Sequence, residues 1–439
     1  MSRKPVFVIA DDLTGAADAA NYFRTVSHRV RVTFNSQVPW MLSLGQDVVQ
    51  VFDAESRSID EAMAVQRVFT AGQQLASTLQ ESFFVYKKID STLRGHIGSE
   101  MEAALRGLGR SIAVVAPAFP ANGRTVRDGE LFVNGLPISQ TAFARDPRNP
   151  VTTDRISDIL RTTTSLPVID LSLGVVNQGP AAIARFLESI AEDMVIVVAD
   201  AETDRDLVVI AEAIAENPRV LPCGSAGLAK PLASLWVGAD GVTFAYEDQL
   251  VQRASKSHIT TCNRVLLAVG SANPTAHVQL EYAASSLGAS IVEMQPVALA
   301  DVSTHDEEML RAKQKLLHSP TNVVGVTLSE QRAVRESDIP GSFESDLAEV
   351  VLEWVTQIHG VDNAISFGFA ATGGDTALAI CEALSATAIW PEGEVVSGMP
   401  WSVMETPHGN IPLISKAGGF GDADALEQAA RFLTTPSPI

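Results

Sequence analysis

Val6-Phe-Val-Ile-Ala10 ends abruptly on Asp11-Asp12-Leu13-Thr14-Gly15. Five apolar residues, three of them β-branched, predict a buried strand, and Thr14 followed by Ala16, Ala17, Ala19 and Ala20 predicts a capped helix. Two adjacent carboxylates therefore stand where a strand hands over to a helix, the place where open parallel α/β sheets hold ligands. Side-by-side anions repel, so such a pair suits a base, a metal or a grip on the hydroxyls of a polyol. The bland alternative is an Asx turn in which Asp12 or Thr14 only caps the helix.

The same alternation runs outward from this turn. Val30 to Phe34, Val48 to Phe52, Phe83 to Ile89, Ile112 to Ala116 and Val195 to Ala199 read as strands, with amphipathic stretches such as Ile59 to Leu79 and Pro180 to Ile190 between them. A polar segment from Asp248 to His258 interrupts the pattern. Strands then resume at Val265 to Val269, Ser290 to Met294, Val323 to Leu328 and Ala364 to Phe367. This predicts an α/β protein of two domains, each a largely parallel sheet flanked by helices, with the active site in the cleft between them. The expected boundaries are 1–245, a linker at 246–262, and 263–439.

Composition narrows the function. The 439 residues carry 32 Lys+Arg against 52 Asp+Glu, a net charge of −20, which repels phosphate backbones and disfavours nucleic acid. Cys223, Cys262 and Cys381 are far apart and odd in number, which fits a reducing, cytoplasmic setting. No run approaches a membrane span, so no membrane partner is expected, and a homo-oligomer is left open.

Chemistry concentrates at strand ends. Lys87-Lys88-Ile89-Asp90-Ser91-Thr92-Leu93-Arg94-Gly95-His96 follows a strand and opens a helix, and its cations beside helix amides suit a carboxylate or phosphate. From Lys87 to Arg127 seven Lys/Arg (87, 88, 94, 106, 110, 124, 127) face three Asp/Glu (90, 100, 102), a local charge of +4. A solvated loop with Asp90 as helix cap is the alternative there, and His96 by itself reads as a surface or satisfied core histidine. Asp53-Ala-Glu55-Ser56-Arg57-Ser58 and Pro117 to Arg124 end two further strands. The second half instead carries glycine turns: Gly270-Ser-Ala-Asn273, Thr372-Gly-Gly-Asp375 and Lys416-Ala-Gly-Gly-Phe-Gly421. Glycine at a strand-to-helix turn lets backbone amides approach phosphate oxygens. Neither G-x-x-x-x-G-K-[ST] nor G-x-G-x-x-G occurs, which disfavours a P-loop and a standard dinucleotide site.

DDLTGAAD at 11–18, KKIDSTLRG at 87–95, GSAN at 270–273, TGGDTA at 372–377 and KAGGFG at 416–421 together resemble the four-carbon acid sugar kinases over almost the whole chain. The resemblance implies a sugar-acid-binding N-terminal domain, an ATP-binding C-terminal domain and phosphorylation of the terminal (4-) hydroxyl of a tetronate. It places Asp12, Arg57, Lys88, Asp90, Ser91 and Arg94 in the substrate pocket, with Asp12 the first choice and Asp90 the second as proton acceptor. It places Ser271, Thr372, Gly373, Gly374, Asp375 and Gly418 at the nucleotide. Mg²⁺ is implied with ATP; Asp375 is a candidate to hold it through water, and no direct protein ligand is assigned. IDSTLRGHIG is closer to the D-threonate and D-erythronate branches than to the 3-oxo-tetronate branch, and D-threonate is the expected substrate. An NAD(P)-dependent hydroxy-acid oxidoreductase and a non-catalytic sugar-acid sensor are the readings from other classes.

Overall fold

The computed structural model describes residues 4–24, 28–34, 48–79, 82–146, 149–238, 261–271, 273–329, 343–361, 366–396 and 398–435. They form two compact units, Met1–Ala245 and Tyr246–Ile439. The polar segment read as a linker lies outside the described residues up to position 260.

In the first unit the strands are β1 (Val6–Ala10), β2 (Arg29–Thr33), β3 (Val48–Asp53), β4 (Phe84–Lys88), β5 (Ile112–Ala116), β6 (Arg124–Arg127), β7 (Glu130–Val133), β8 (Leu136–Pro137), β9 (Val168–Leu171), β10 (Val195–Ala199) and β11 (Val220–Gly224). Eight of them build a parallel sheet in the order β2-β3-β1-β4-β11-β5-β10-β9, while β6, β7 and β8 form a small antiparallel sheet. Every residue of β1, β5 and β10 is buried, as continuous apolar runs require when helices cover both faces. Helix α1 (Leu13–Phe23) presents buried alanines, and α2 (Glu61–Thr78) packs on α3 (Ile97–Leu108). At that crossing a Cβ on Gly107 would fall 2.5 Å from the Phe69 carbonyl oxygen, so glycine sets the approach.

Two strands of this sheet escape the sequence pattern. Central β11 carries Pro222, a residue that reads as a strand breaker, and β9 alternates only weakly. Both are held by pairing with neighbours, β11 with β4 and β5, and β9 with β10.

The second unit contains β12 (Arg264–Val269), β13 (Ser290–Met294), β14 (Val323–Leu328), β15 (Phe367–Thr372), β16 (Ala388–Glu394), β17 (Pro400–Thr406) and β18 (Gly409–Lys416), in the order β13-β14-β12-β15-β18-β17-β16. The first five in that order are parallel, and β16 and β17 add an antiparallel edge. The strand expected at Ala364 to Phe367 begins instead at Phe367; positions 364 and 365 lie outside the described residues. Leu267, Val269, Leu280, Leu426 and Leu433 share the core on one side, and Trp354 packs edge-on against Phe367 and Phe369. Among the described residues no helix is long and apolar enough to cross a membrane.

Candidate active site

Strand order decides what meets in the first unit. From β1 the chain passes through β2 to β3 on one side and then crosses to β4 on the other, so the sheet has a switch point at β1. The turns after β1, β3 and β4 therefore lie side by side. Backbone bonds lock the first two together: Ser56 N and Arg57 N donate to Asp11 O at 3.0 and 3.2 Å.

Arg57 is the hub. Its Nε and Nη2 donate to Asp11 Oδ2 at 2.9 and 2.7 Å, and its Nη1 and Nη2 to Asp12 Oδ2 and Oδ1, each at 2.8 Å. The planar fork thus grips both carboxylates and also lies 3.8 Å from Asp90. Asp90 in turn accepts from Arg94 Nε at 2.8 Å and from the Thr92 hydroxyl. Arg94 reaches Asp146 at 3.4 Å and rests over the Phe143 ring. Ser91 is half-buried in the same turn. Glu55 and Leu93, one in each flanking turn, hold φ of 49° and 62°, a left-handed backbone that non-glycine residues adopt at a cost.

The cluster splits its carboxylates electrostatically. Burial raises all of them, but the Arg57, Lys88 and Lys87 cations bring Asp11 below the ordinary value. Burial likewise raises Asp90, yet Arg94 and Arg57 hold it well below. Asp12 ends above its ordinary value, because burial and the neighbouring Asp11 outweigh Arg57. Asp12 also caps α1 by accepting from Gly15 N at 2.9 Å, while Thr14 lies inside the helix. Lys88 sits at the same helix start: a Cβ on Gly15 would fall 2.5 Å from both Lys88 Nζ and Asp12 Oδ1.

Of the seven cations counted between Lys87 and Arg127, four form ion pairs and three donate to backbone carbonyls. Lys87 pairs with Glu100 at 2.8 Å, both deeply buried; Arg94, Arg106 and Arg127 pair with Asp90, Glu102 and Glu202; Arg110 donates to the carbonyls of Pro218 and Val220. Lys88 donates to the Ile89 carbonyl and, among the described residues, forms no ion pair; Arg124 donates through Nη1 to the Asn122 carbonyl and retains a buried Nε without a partner. Arg124 lies close enough to Asp90 and Arg94 to feel both charges. In the sequence Arg124 stands as one of the seven cations of the positive stretch and as the end of the Pro117 to Arg124 segment, without a role of its own. Asp53 is a second residue given no role: 1% exposed, with Oδ2 unpartnered and its carboxyl pushed well up by burial and by Asp12. Asp18, inside the DDLTGAAD motif, is pushed up to about 6 by burial. His96 is satisfied by the Ile59 carbonyl oxygen at 2.7 Å.

In the second unit, parallel register sets Val269 beside Thr372 and Thr372 beside Lys416, so three turns meet at one edge. A Cβ on Gly418 would fall 2.0 Å from Ser271 Oγ, and one on Gly270 2.2 Å from Thr376 Oγ1. Gly373 has φ of 109°, and its N donates to Lys416 O at 2.9 Å. Helices Pro274–Leu287 and Gly374–Ala383 start from these turns and direct their N-termini there; Asp375 lies half-buried in the first turn of the latter. Thr372 Oγ1 is buried without a partner.

The two units match two family models: one described as a sugar-binding N-terminal domain over residues 6–232, the other as a nucleotide-binding C-terminal domain over 266–426. A D-threonate kinase of Salmonella typhimurium is 31% identical, covering 98% of this chain and 98% of that protein. The chain belongs to the four-carbon acid sugar kinase family. A second family member, a D-erythronate kinase of Heliobacterium modesticaldum, is 28% identical over 98% of this chain and 97% of its own. A solved structure from Salmonella typhimurium LT2 shares the fold, with a TM-score of 0.74 at 22% identity and coverage of 98% and 99%. As a member of this family the chain is a phosphotransferase with an alcohol group as acceptor.

Proposed function

We propose that the chain is a D-threonate 4-kinase that uses ATP and Mg²⁺. The observation that carries this reading is the 31% identity to a D-threonate kinase along both chains. The geometry supports it: glycine turns with helix N-termini, a setting suited to anions, occupy the second unit, and a carboxylate–guanidinium cluster occupies the switch point of the first.

In the first unit, Lys88 and Arg124 are the cations with capacity to spare for the substrate carboxylate, with Arg94 held beside them by Asp90. Hydroxyl groups suit Asp12 and Ser91. Asp12 is the better proton acceptor of the two candidates, since its carboxylate is the more basic, whereas Asp90 is held too acidic by two arginines. Arg57 orients Asp12 through two of its bonds. In the second unit Ser271, Thr372, Gly373, Gly374 and Gly418 would receive the nucleotide, whose phosphates meet backbone amides and helix N-termini. Phosphoryl transfer then needs positioning and charge neutralisation more than covalent help from the protein.

No group of three or more His, Cys, Asp or Glu side chains suited to a metal occurs among the described residues. Mg²⁺ would then be carried mainly by phosphate and water, and Asp375, half-buried in the first turn of the helix Gly374–Ala383, would hold it through water. When bound, the ion would neutralise phosphate charge and align the leaving group.

A coupled ADP-release screen over D-threonate, D-erythronate, L-threonate and the 3-oxo acids tests the assignment. D-threonate should show the highest kcat/KM. Preference for a 3-oxo acid would move the chain to another branch, and no turnover of any tetronate would overturn the reading.

A further inference from the structure

Lys416 ends β18 and is 1% exposed. Its Nζ donates to Ala417 O at 3.0 Å and Gly418 O at 3.4 Å, and no described carboxylate forms an ion pair with it. A buried lysine without a counter-ion is costly, and proteins rarely keep one without a task. Register places it level with Thr372, whose buried hydroxyl is also unpartnered, and with the end of β12. One of the two carbonyls it binds belongs to Gly418, the glycine packed against Ser271.

The other described cations of this unit have other duties or places. Arg264 opens β12 at the opposite edge of the sheet; Arg311, Lys313 and Arg431 pair with Glu308, Glu349 and Glu427; Lys315 lies on the helix His305–Leu317. A triphosphate entering the glycine turns would meet Lys416 as the one buried lysine amine without a carboxylate partner among the described residues there. The charged residues on the flanking turns are Asp375, Asp422 and Asp424, and β15 and β17 bring only Glu405, near the far end of β17. None of these shifts the lysine; burial alone does, pushing it down to about 7.

We propose that Lys416 is the cation that meets the nucleotide's phosphates and that it takes up a proton as the nucleotide binds. This rests on the nucleotide-binding reading of the second unit. The amine is largely neutral in the free protein above neutral pH, bonded to two carbonyls. The arriving polyanion favours the ammonium, and the third N–H turns to a phosphate oxygen. The proton comes from solvent, so binding consumes buffer acid.

The experiment is calorimetry of ATP–Mg²⁺ and of adenosine against the full chain and its Lys416→Met and Lys416→Arg variants, in buffers of different ionisation enthalpy. At about pH 8 the parent should take up about one proton per ATP, falling towards zero near pH 6, where the lysine is already charged. Lys416→Met should abolish the uptake and weaken ATP by about tenfold or more, the loss of one charge-assisted contact, while adenosine changes by less than about twofold. Lys416→Arg should restore part of the affinity without proton uptake, because guanidinium stays charged. Parent-like ATP affinity or proton uptake in Lys416→Met, or equal loss of adenosine and ATP, would overturn the role of the lysine alone. Failure of the parent to bind ATP would overturn the nucleotide reading and the proposal with it.

Discussion

Replacing Arg57 with lysine tests whether the two adjacent aspartates depend on one planar fork. In the parent, four N–H···O contacts of 2.7–2.9 Å run from the guanidinium to two carboxylates. An ammonium radiates its donors from a point, so Arg57→Lys keeps at most one good bond to each carboxylate and loses two. At about 1.5–3 kcal/mol per charged bond the gross loss is about 3–6 kcal/mol. The side chain is 14% exposed, so water recovers some of this, and about 3 kcal/mol is the expected net cost. For a unit of this size that lowers Tm by roughly 6–12 °C.

The same change has a definite pH signature. Asp11 is held below its ordinary value by Arg57 against burial, so it stabilises the fold above the unfolded value and loses that contribution as pH falls through the folded one. Weakening Arg57 raises the Asp11 carboxyl, and the variant should begin to unfold at a higher pH than the parent. Asp12, already above its ordinary value, should rise further and shift the acid limb of kcat/KM upward. Thermal melts between pH 4 and 8 with a parallel kinetic profile supply both readouts. A melting temperature within about 2 °C of the parent together with an unmoved acid limb would refute the hub role of Arg57.

Asp12→Asn should lower kcat with a smaller effect on KM in steady-state kinetics, because it removes the proton acceptor while keeping size and hydrogen bonding. Gly418→Ala places a methyl where Ser271 Oγ now lies, so calorimetry should show weakened ATP binding with sugar-acid binding retained. Lys87→Met strands the buried Glu100 carboxylate and should cost about 3–5 kcal/mol by denaturant titration, whereas the double change Lys87→Met/Glu100→Leu should recover most of it. Arg94→Ala should raise KM for the sugar acid roughly tenfold or more and leave ATP parameters nearly unchanged.

Local patterns in the chain are readable where backbone and burial demands agree. Val6–Ala10 is a strand and Leu13–Phe23 a helix because an apolar run meets a capping aspartate and then a stripe of alanines. Central β11 was not readable, since Pro222 signals a break and only pairing with β4 and β5 overrides it. Strands β16 and β17 were likewise hidden, being held by antiparallel pairing with each other and with β18. The positive stretch from Lys87 to Arg127 shows how a linear count misleads. Glu202, Pro218 and Val220, remote in sequence, engage Arg127 and Arg110.

The sequence by itself determined the α/β alternation, the carboxylates and cations at strand ends, the glycine turns, and the family those motifs resemble. Each rests on interactions between residues a few positions apart: helix periodicity, capping and turn conformation. Which strand ends became neighbours was decided only by the tertiary structure. With β1 between β3 and β4, one arginine grips two aspartates 45 and 46 positions away. Burial by the surrounding layers then separates the carboxylates into an acidic Asp90 and a more basic Asp12, because desolvation and nearby charge exist only once the chain has folded.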